Sequence, residues 1–298
     1  MYILNMVHKL VVKKVYDKCE AAKKYPTAHF HTVIDKDTDV YWLDEYGKEQ
    51  VLCKFRKKVI ADDLSDIATE ALKAHSKQSH SNRGYASGEF EDGKVRKLFN
   101  KTSRSLKAPS NISGYFDRPY QQIQKHFDTK IVCRPTSFTK HHPEKFEQAI
   151  PFLKAIDKMY KKLAPKEYKL QKEMIKKVPP GMHIKDTVFT TITTNYNWRT
   201  ATHKDGGDYE EGLGNLVVTG DEKWTGGYLG FPEFRVAVNL RKGDFLLMDV
   251  HQWHCNTPLI KNGGFRLSFV CYARTKMQYC NKSKVVDGDV YWYKGSNS

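Results

Sequence analysis

The sequence predicts an α+β fold in which helices of the N-terminal half support a C-terminal all-β core. Two observations carry that expectation. Residues 144–163 set Phe146, Ile150, Leu153, Ile156, Met159, Tyr160 and Leu163 at three- and four-residue spacing, the period of an amphipathic helix. After Gly181 the pattern changes to short runs of β-branched and aromatic residues, separated by the turn-forming stretches DGGD, GDEKWTGG, RKGD and KNGG. Short strands at regular intervals argue for a sandwich or barrel.

Taken in chain order, Val40 to Leu43 is strand-like by β-propensity. Asp62 to His75 has helical spacing, with Ile67, Ala68, Ala71 and Leu72 assigned to one face. Residues 76–114 are rich in Ser, Asn, Lys and Gly and read as loops whose hydroxyls and positive charge suit phosphate contact. In the helix of 144–163, Pro151 marks either a kink or a true start, and Pro165 closes the stretch. A second helical stretch, 166–177, ends before Pro179. The expected strands are Thr187–Thr194, Asn215–Thr219, Tyr228–Phe231, Val236–Leu240, Phe245–Asp249 and Phe265–Ala273. The expected organisation is a mixed N-terminal extension (1–80) packed on the main domain (81–280), whose β core spans about 181–275, and a C-terminal tail (281–298).

The 298 residues suffice for a large core, and the 40% hydrophobic and 12% aromatic content is ordinary. The charge is not. Fifty Lys and Arg against 34 Asp and Glu give a formal +16, which attracts polyanions, nucleic acid first among them. The six cysteines, Cys19, Cys53, Cys133, Cys255, Cys271 and Cys280, form no CxxC pair; their even number leaves a disulfide set open, but a chain this long does not need one and thiols in a reducing compartment fit better. No apolar run reaches membrane-spanning length, and the start has no small-residue cleavage site. The expectation is an intracellular protein of nucleus or cytoplasm, with no membrane partner; a virus- or phage-encoded origin fits it. Nothing in the sequence indicates an oligomeric state.

Within the β region lies Thr202-His203-Lys204-Asp205. Side chains at i and i+2 of an extended chain share a face, so His203 and Asp205 can reach one cation while Lys204 points away. A third ligand is available from His251 or His254, both of which follow the strand Phe245–Asp249. Two imidazoles and one carboxylate leave half an octahedron open, the donor set of non-haem Fe(II) sites that bind a co-substrate and O2. Alternation in the strand around Arg266 puts Arg266 and Ser268 on one face and Phe265, Leu267 and Phe269 on the other. An inward Arg needs an anionic partner, and the distal carboxylate of 2-oxoglutarate matches a guanidinium fork. Asn197 and Arg199 share parity with His203; an unbroken strand would turn them to the same pocket, Arg199 as a second contact to the co-substrate.

These motifs assemble into a pattern. NYNWRTATHKDGGDYEEGLGNLVV, GGYLGFPEFRVAVNLRKGDFLLMDVHQWHCNTPL and RLSFVCYAR resemble the TET/J-binding-protein family of Fe(II)/2-oxoglutarate-dependent nucleobase dioxygenases. The upstream blocks SNRGYASG, SNISGYFDRP and CRPTSFTKHHPEKFEQAIPF extend the resemblance over roughly residues 80–275. It implies a double-stranded β-helix (jelly-roll, cupin-like) core and hydroxylation of the 5-methyl group of thymine or 5-methylcytosine in DNA. Fe(II), 2-oxoglutarate and O2 are the implied cofactors, and DNA is the implied partner. His203, Asp205 and His254 match the family's metal ligands, which favours His254 over His251. Arg266 matches the 2-oxoglutarate arginine, assisted by Ser268. Asp208 is implied as a reader of the pyrimidine edge, with Asn111 behind it. Stacking on the base falls to Tyr115, Phe116, Tyr196 or Trp198. The spelling NWRTATHKDGGD lies nearer the thymine branch. The chain carries neither the cysteine-rich region of animal TET proteins nor a separate domain for glucosylated thymine, so it reads as a minimal catalytic unit. The rival readings are the same chemistry on a protein side chain, a small molecule or RNA, and a non-catalytic basic DNA-binding protein.

Overall fold

The computed structural model describes residues 7–15, 19–78, 84–88 and 108–295. The first strands are β1 (His8–Val12), β2 (Thr32–Ile34), β3 (Thr38–Leu43), β4 (Glu49–Arg56), β5 (Ser110–Phe116) and β6 (Val132–Pro135). The β-rich part adds β7 (Thr191–Tyr196), β8 (Gly214–Gly220), β9 (Thr225–Gly226), β10 (Leu229–Phe231), β11 (Val236–Val238) and β12 (Phe245–Met248). It continues with β13 (Cys255–Asn256), β14 (Leu259–Ile260), β15 (Arg266–Tyr272), β16 (Lys282–Val286) and β17 (Asp289–Tyr293). The helices are α1 (Asp62–Ser76), α2 (Ser137–His141), α3 (Pro143–Gln148), α4 (Ile150–Leu163) and α5 (Pro165–Ile175).

An eleven-stranded sheet runs in the order β1-β3-β4-β12-β8-β15-β7-β5-β6-β17-β16 and faces a four-stranded sheet of order β13-β10-β11-β2. The alternation of apolar residues explains both of its faces. Leu216, Val218, Leu246 and Met248 turn toward the small sheet and meet Leu229, Phe231, Val236 and Val238. Their neighbours Val217, Phe245, Leu247, Leu267, Phe269 and Cys271 turn the other way, onto the helices. There the stripe Phe152, Leu153, Ile156 and Tyr160 of α4 covers them, with Phe152 edge-on to Phe269 at 4.9 Å. This is the expected double-stranded β-helix, with helices backing its larger sheet.

Pro151 proves to be a start: α3 ends at Gln148, and α4 begins at Ile150 with the proline in its first turn. Ile67, assigned to the inner face of α1, is exposed; the buried stripe is Ser65, Ala68, Leu72 and Ser76, with Ala71 beside it. The strand expected from Thr187 begins only at Thr191. Upstream, the Val188 N–H is bonded by Asp157 and its carbonyl by Gln171, so the backbone is satisfied by helix side chains and not by a neighbouring strand. Ser110–Gly114, read as loop, pairs with β7 as β5. Gly84–Ser87, in the same stretch, forms a single 3-10 turn, and residues 79–83 and 89–107 lie outside the described residues.

Residues 8–56 put β1, β3 and β4 into the main sheet and β2 into the small one. Residues 282–293 form a hairpin whose second strand pairs with β6. That pairing brings Cys280 to Cys133, and the two are joined as a disulfide across 147 residues of sequence, which corrects the preference for thiols at these two positions, while Cys19, Cys53, Cys255 and Cys271 are free. No helix among the described residues is long and apolar enough to cross a membrane.

Candidate active site

His203 and His254 face each other across an antiparallel bridge, exchanging N–H to carbonyl hydrogen bonds of 3.0 Å in both directions. Residues directly opposite in such a pair project to the same side. Their rings accordingly lie 4.3 Å apart between centroids. The Asp205 N–H, two residues on, donates to the Val250 carbonyl at 3.1 Å, so the extended chain continues and the carboxylate returns to the face of His203. Asp205 Oδ1 lies 3.4 Å from His203 Nε2, and Oδ2 lies 3.7 Å from His254 Nε2. One potential ligand atom from each of the three residues falls within 4.8 Å of the others. Lys204 points out, over the Trp253 ring.

Each histidine is oriented by its own chain. The His203 Nδ1 is 2.7 Å from the Ala201 carbonyl, and the His254 Nδ1 is 2.9 Å from that of Gln252. With Nδ1–H donating, both Nε2 lone pairs are left free for a cation. Burial, helped by the charge of His203, holds His254 down to about 4, so this imidazole is neutral near pH 7. Burial also lowers His203, but the hydrogen bond and charge of Asp205 outweigh it and its pKa is raised. For Asp205 burial acts upward, and the His203 hydrogen bond with the His254 charge overrides it, holding the carboxyl down to about 2. A neutral imidazole and an ionised carboxylate are the states in which these groups ligate metals.

The three residues lie on a cavity of about 740 Å³ that Arg266, Ser268, Asp208 and Asn111 also line. Arg266 is 2% exposed, and no carboxylate pairs with it among the described residues; its Nε is buried without a partner. Burial, with the charge of Arg241, pulls it down to about 10, still cationic at neutral pH. The donor set fits Fe(II), and an unpaired buried guanidinium in the same cavity fits the far carboxylate of a diacid. The Ser268 hydroxyl accepts from Asn195 Nδ2 at 3.3 Å. Asn111 Nδ2 donates to the carbonyls of Ser76 and Gln78, while its buried Oδ1 has no partner.

Arg199 and Asn197 are not brought in. The main chain turns left-handed at Asn197 (φ 46°), just past the end of β7, which breaks the parity on which their assignment rested. Arg199 instead bonds the carbonyls of Tyr25 and Asn256, outside the cavity. Asn197 Oδ1 accepts from the Arg266 N–H at 2.7 Å and steadies the start of β15. His251 turns to Asp249. Of the aromatic candidates, Phe116 and Trp198 line the cavity; Tyr115 packs on Phe146, and Tyr196 stacks on Phe265.

A buried ion pair went unforeseen. Arg274, at the end of RLSFVCYAR, reaches the fully buried Asp117 at 3.0 Å, donates to the Gly206 carbonyl at 3.0 Å and stands 3.8 Å from Asp208 Oδ1. Gly207, at φ +89°, passes so close that a Cβ there would sit 2.9 Å from the guanidinium. Burial, with the nearby charge of Asp205, pushes Asp208 up to about 8 despite Arg274. The DRP of SNISGYFDRP was the only trace of Asp117 in the sequence, and no spacing rule joins it to Arg274.

A jelly roll with two imidazoles, a carboxylate and an inward guanidinium in one cavity defines an Fe(II)- and 2-oxoglutarate-dependent oxygenase. The model of the Tet_JBP family, "Oxygenase domain of the 2OGFeDO superfamily", matches residues 111–275, and the chain belongs to that family. Its enzymes use Fe(II), 2-oxoglutarate and O2. Among similar proteins is the "Bifunctional helicase and thymine dioxygenase JBP2" of Leishmania tarentolae, 32% identical over 262 residues, covering 81% of this chain and 23% of that protein. The "Thymine dioxygenase JBP1" of Trypanosoma brucei brucei is 34% identical over 150 residues, covering 50% of this chain and 17% of that protein. The chain thus spans less than a quarter of either relative. A solved structure of NgTET1 in complex with 5mC DNA superposes with a TM-score of 0.52 at 13% identity, covering 93% of this chain and 84% of that one; it speaks to the fold.

Proposed function

We propose that the chain hydroxylates the 5-methyl group of a pyrimidine in DNA, with thymine as the first substrate. The observation that carries the proposal is the convergence of His203, Asp205 and His254 in a cavity that also holds the unpaired Arg266. The relatives named as thymine dioxygenases support the choice of base. In this reading His203, Asp205 and His254 hold the metal, and Arg266 with Ser268 holds the distal carboxylate of 2-oxoglutarate. When bound, iron with 2-oxoglutarate and O2 supplies the oxidising power that inserts one oxygen atom into a C–H bond, releasing succinate and CO2.

The chain's own residues do the rest. Leu216, Leu229, Met248 and Val270 give the cavity an apolar wall that keeps bulk water from the reacting methyl. The buried Asn111 Oδ1 is an acceptor for a base N–H, and Asp208, on the loop that carries Asp205, lines the same cavity and reads the pyrimidine edge. A stacked base does not reach such a depth, so the target nucleotide is flipped out or single-stranded. Phe116 and Trp198 are the stacking surfaces. The site of action is then wherever the cell keeps the DNA, nucleus or cytoplasm.

Succinate release tests the assignment. It is expected to rise on addition of thymine- or 5-methylcytosine-containing oligonucleotides and not on addition of peptides or amino acids; stimulation by peptides alone would refute the nucleobase reading.

A further inference from the structure

The cavity contains a second buried cation that pairs with no carboxylate among the described residues. Arg134, on β6, is 8% exposed and lines the same space as Arg266 and the metal-binding triad. Its Nε donates to the Arg118 carbonyl at 2.6 Å, its Nη1 donates to the Pro135 carbonyl at 3.0 Å, and its guanidinium lies 3.5 Å from the centre of the Tyr120 ring. These neutral contacts fix the group in place without cancelling its charge. Asp117, whose charge reaches Arg134 at longer range, makes its ion pair with Arg274 and not with Arg134. A buried charge without an ion pair is costly, and a protein that pre-positions one in a cavity has built a place for an anion. The same stretch of wall carries the exposed Arg118 and Ser137.

We propose that Arg134 binds a phosphate ester of the target nucleotide. This rests on the nucleobase reading above, which gives the co-substrate's carboxylate to Arg266 and leaves phosphate as the anion of the other ligand. A cavity of about 740 Å³ has room for a small diacid and a nucleotide together. Tyr120, stacked under the guanidinium with its hydroxyl donating to the Pro135 carbonyl, holds Arg134 in register as a positioning residue. The consequence is a specificity: the enzyme takes a phosphorylated nucleotide in preference to a free base or nucleoside.

The test replaces the charge on each side in turn. Oligonucleotides carrying one neutral methylphosphonate next to the target thymidine are compared with the phosphodiester, on wild type and on Arg134→Gln. Wild type is expected to lose about 10- to 100-fold in kcat/KM on the neutral linkage, the worth of a charge-assisted hydrogen bond. Arg134→Gln is expected to lose a similar factor on the phosphodiester and to show no further loss on the methylphosphonate. Arg134→Lys, which keeps the charge and loses the fork, is expected to retain a reduced penalty and serves if the Gln variant does not fold. Thymidine monophosphate against thymidine separates the two sources of phosphate. A monophosphate preference that Arg134→Gln abolishes assigns the nucleotide's own 5′ group; a penalty confined to oligonucleotides assigns the strand. A methylphosphonate penalty as large in the variants as in wild type overturns the Arg134 subsite. Absence of product from wild type on any phosphodiester DNA fails the nucleobase reading instead.

Discussion

At the scale of single residues, the site depends on which atom of each side chain is left over once the local hydrogen bonds are made. His203 and His254 commit Nδ1 to carbonyls two residues back, and only Nε2 remains to face Asp205. His203→Ala is therefore expected to abolish stoichiometric Fe(II) binding and to cut turnover by more than the ~10–100-fold that loss of an outer-shell partner costs; metal titration and succinate assay check both. Chelation by EDTA is expected to stop turnover, and Fe(II) to restore it. Arg266→Lys keeps the charge and loses the fork, so the KM for 2-oxoglutarate is expected to rise about 10- to 100-fold. The HxD pair was legible because i and i+2 share a face. Arg199 was misassigned because one left-handed residue, Asn197, ends the alternation; Asn favours that conformation, but a single Asn is too weak a signal to set against the strand pattern on either side.

At the scale of elements, β15 joins the chemistry to the core. Its inward side chains, Arg266, Ser268 and Val270, line the cavity, while Leu267, Phe269 and Cys271 are locked under the helices. Phe269→Ala is expected to destabilise the fold by ~3–5 kcal/mol, read as a lower urea midpoint, since Phe269 is fully buried against Phe152. At its far end β15 delivers Arg274 to Asp117. Asp117→Ala removes the nearer carboxylate of that buried guanidinium, leaving it only the looser contact to Asp208 at 3.8 Å, and is expected to cost ~3–5 kcal/mol in the same measurement. The loop Gly206–Asp208 is expected to loosen with it, because Arg274 also holds the Gly206 carbonyl. The period of β15 and of α4 was plain in the sequence, since each buries a continuous stripe. The Asp117–Arg274 pair was not, because its members lie 157 residues apart and meet only through the sheet order.

For the whole molecule, the sequence reveals two kinds of information unequally. Local alternation located β8, β10, β11, β12 and β15 and part of β7, but missed the two-residue strands β9, β13 and β14 and gave no sign of which strands become neighbours. The entry of β1, β3 and β4 into the main sheet, and the closing of Cys133 on Cys280, are long-range pairings with no local signature. The formal charge of +16 belongs to this scale as well. DNA affinity is expected to fall steeply and linearly in log–log form with salt, at a slope near −0.9 per phosphate neutralised on duplex, as fluorescence anisotropy would record. A flat salt response would mean that the charge plays no part in binding. The most direct test of the account is mass spectrometry of the nucleosides recovered from DNA incubated with the protein, Fe(II), 2-oxoglutarate and ascorbate. The account requires a 5-hydroxymethyl pyrimidine, one oxygen heavier than its parent, formed by wild type and absent with His203→Ala. Unmodified pyrimidines throughout, or the same product from both proteins, would contradict it.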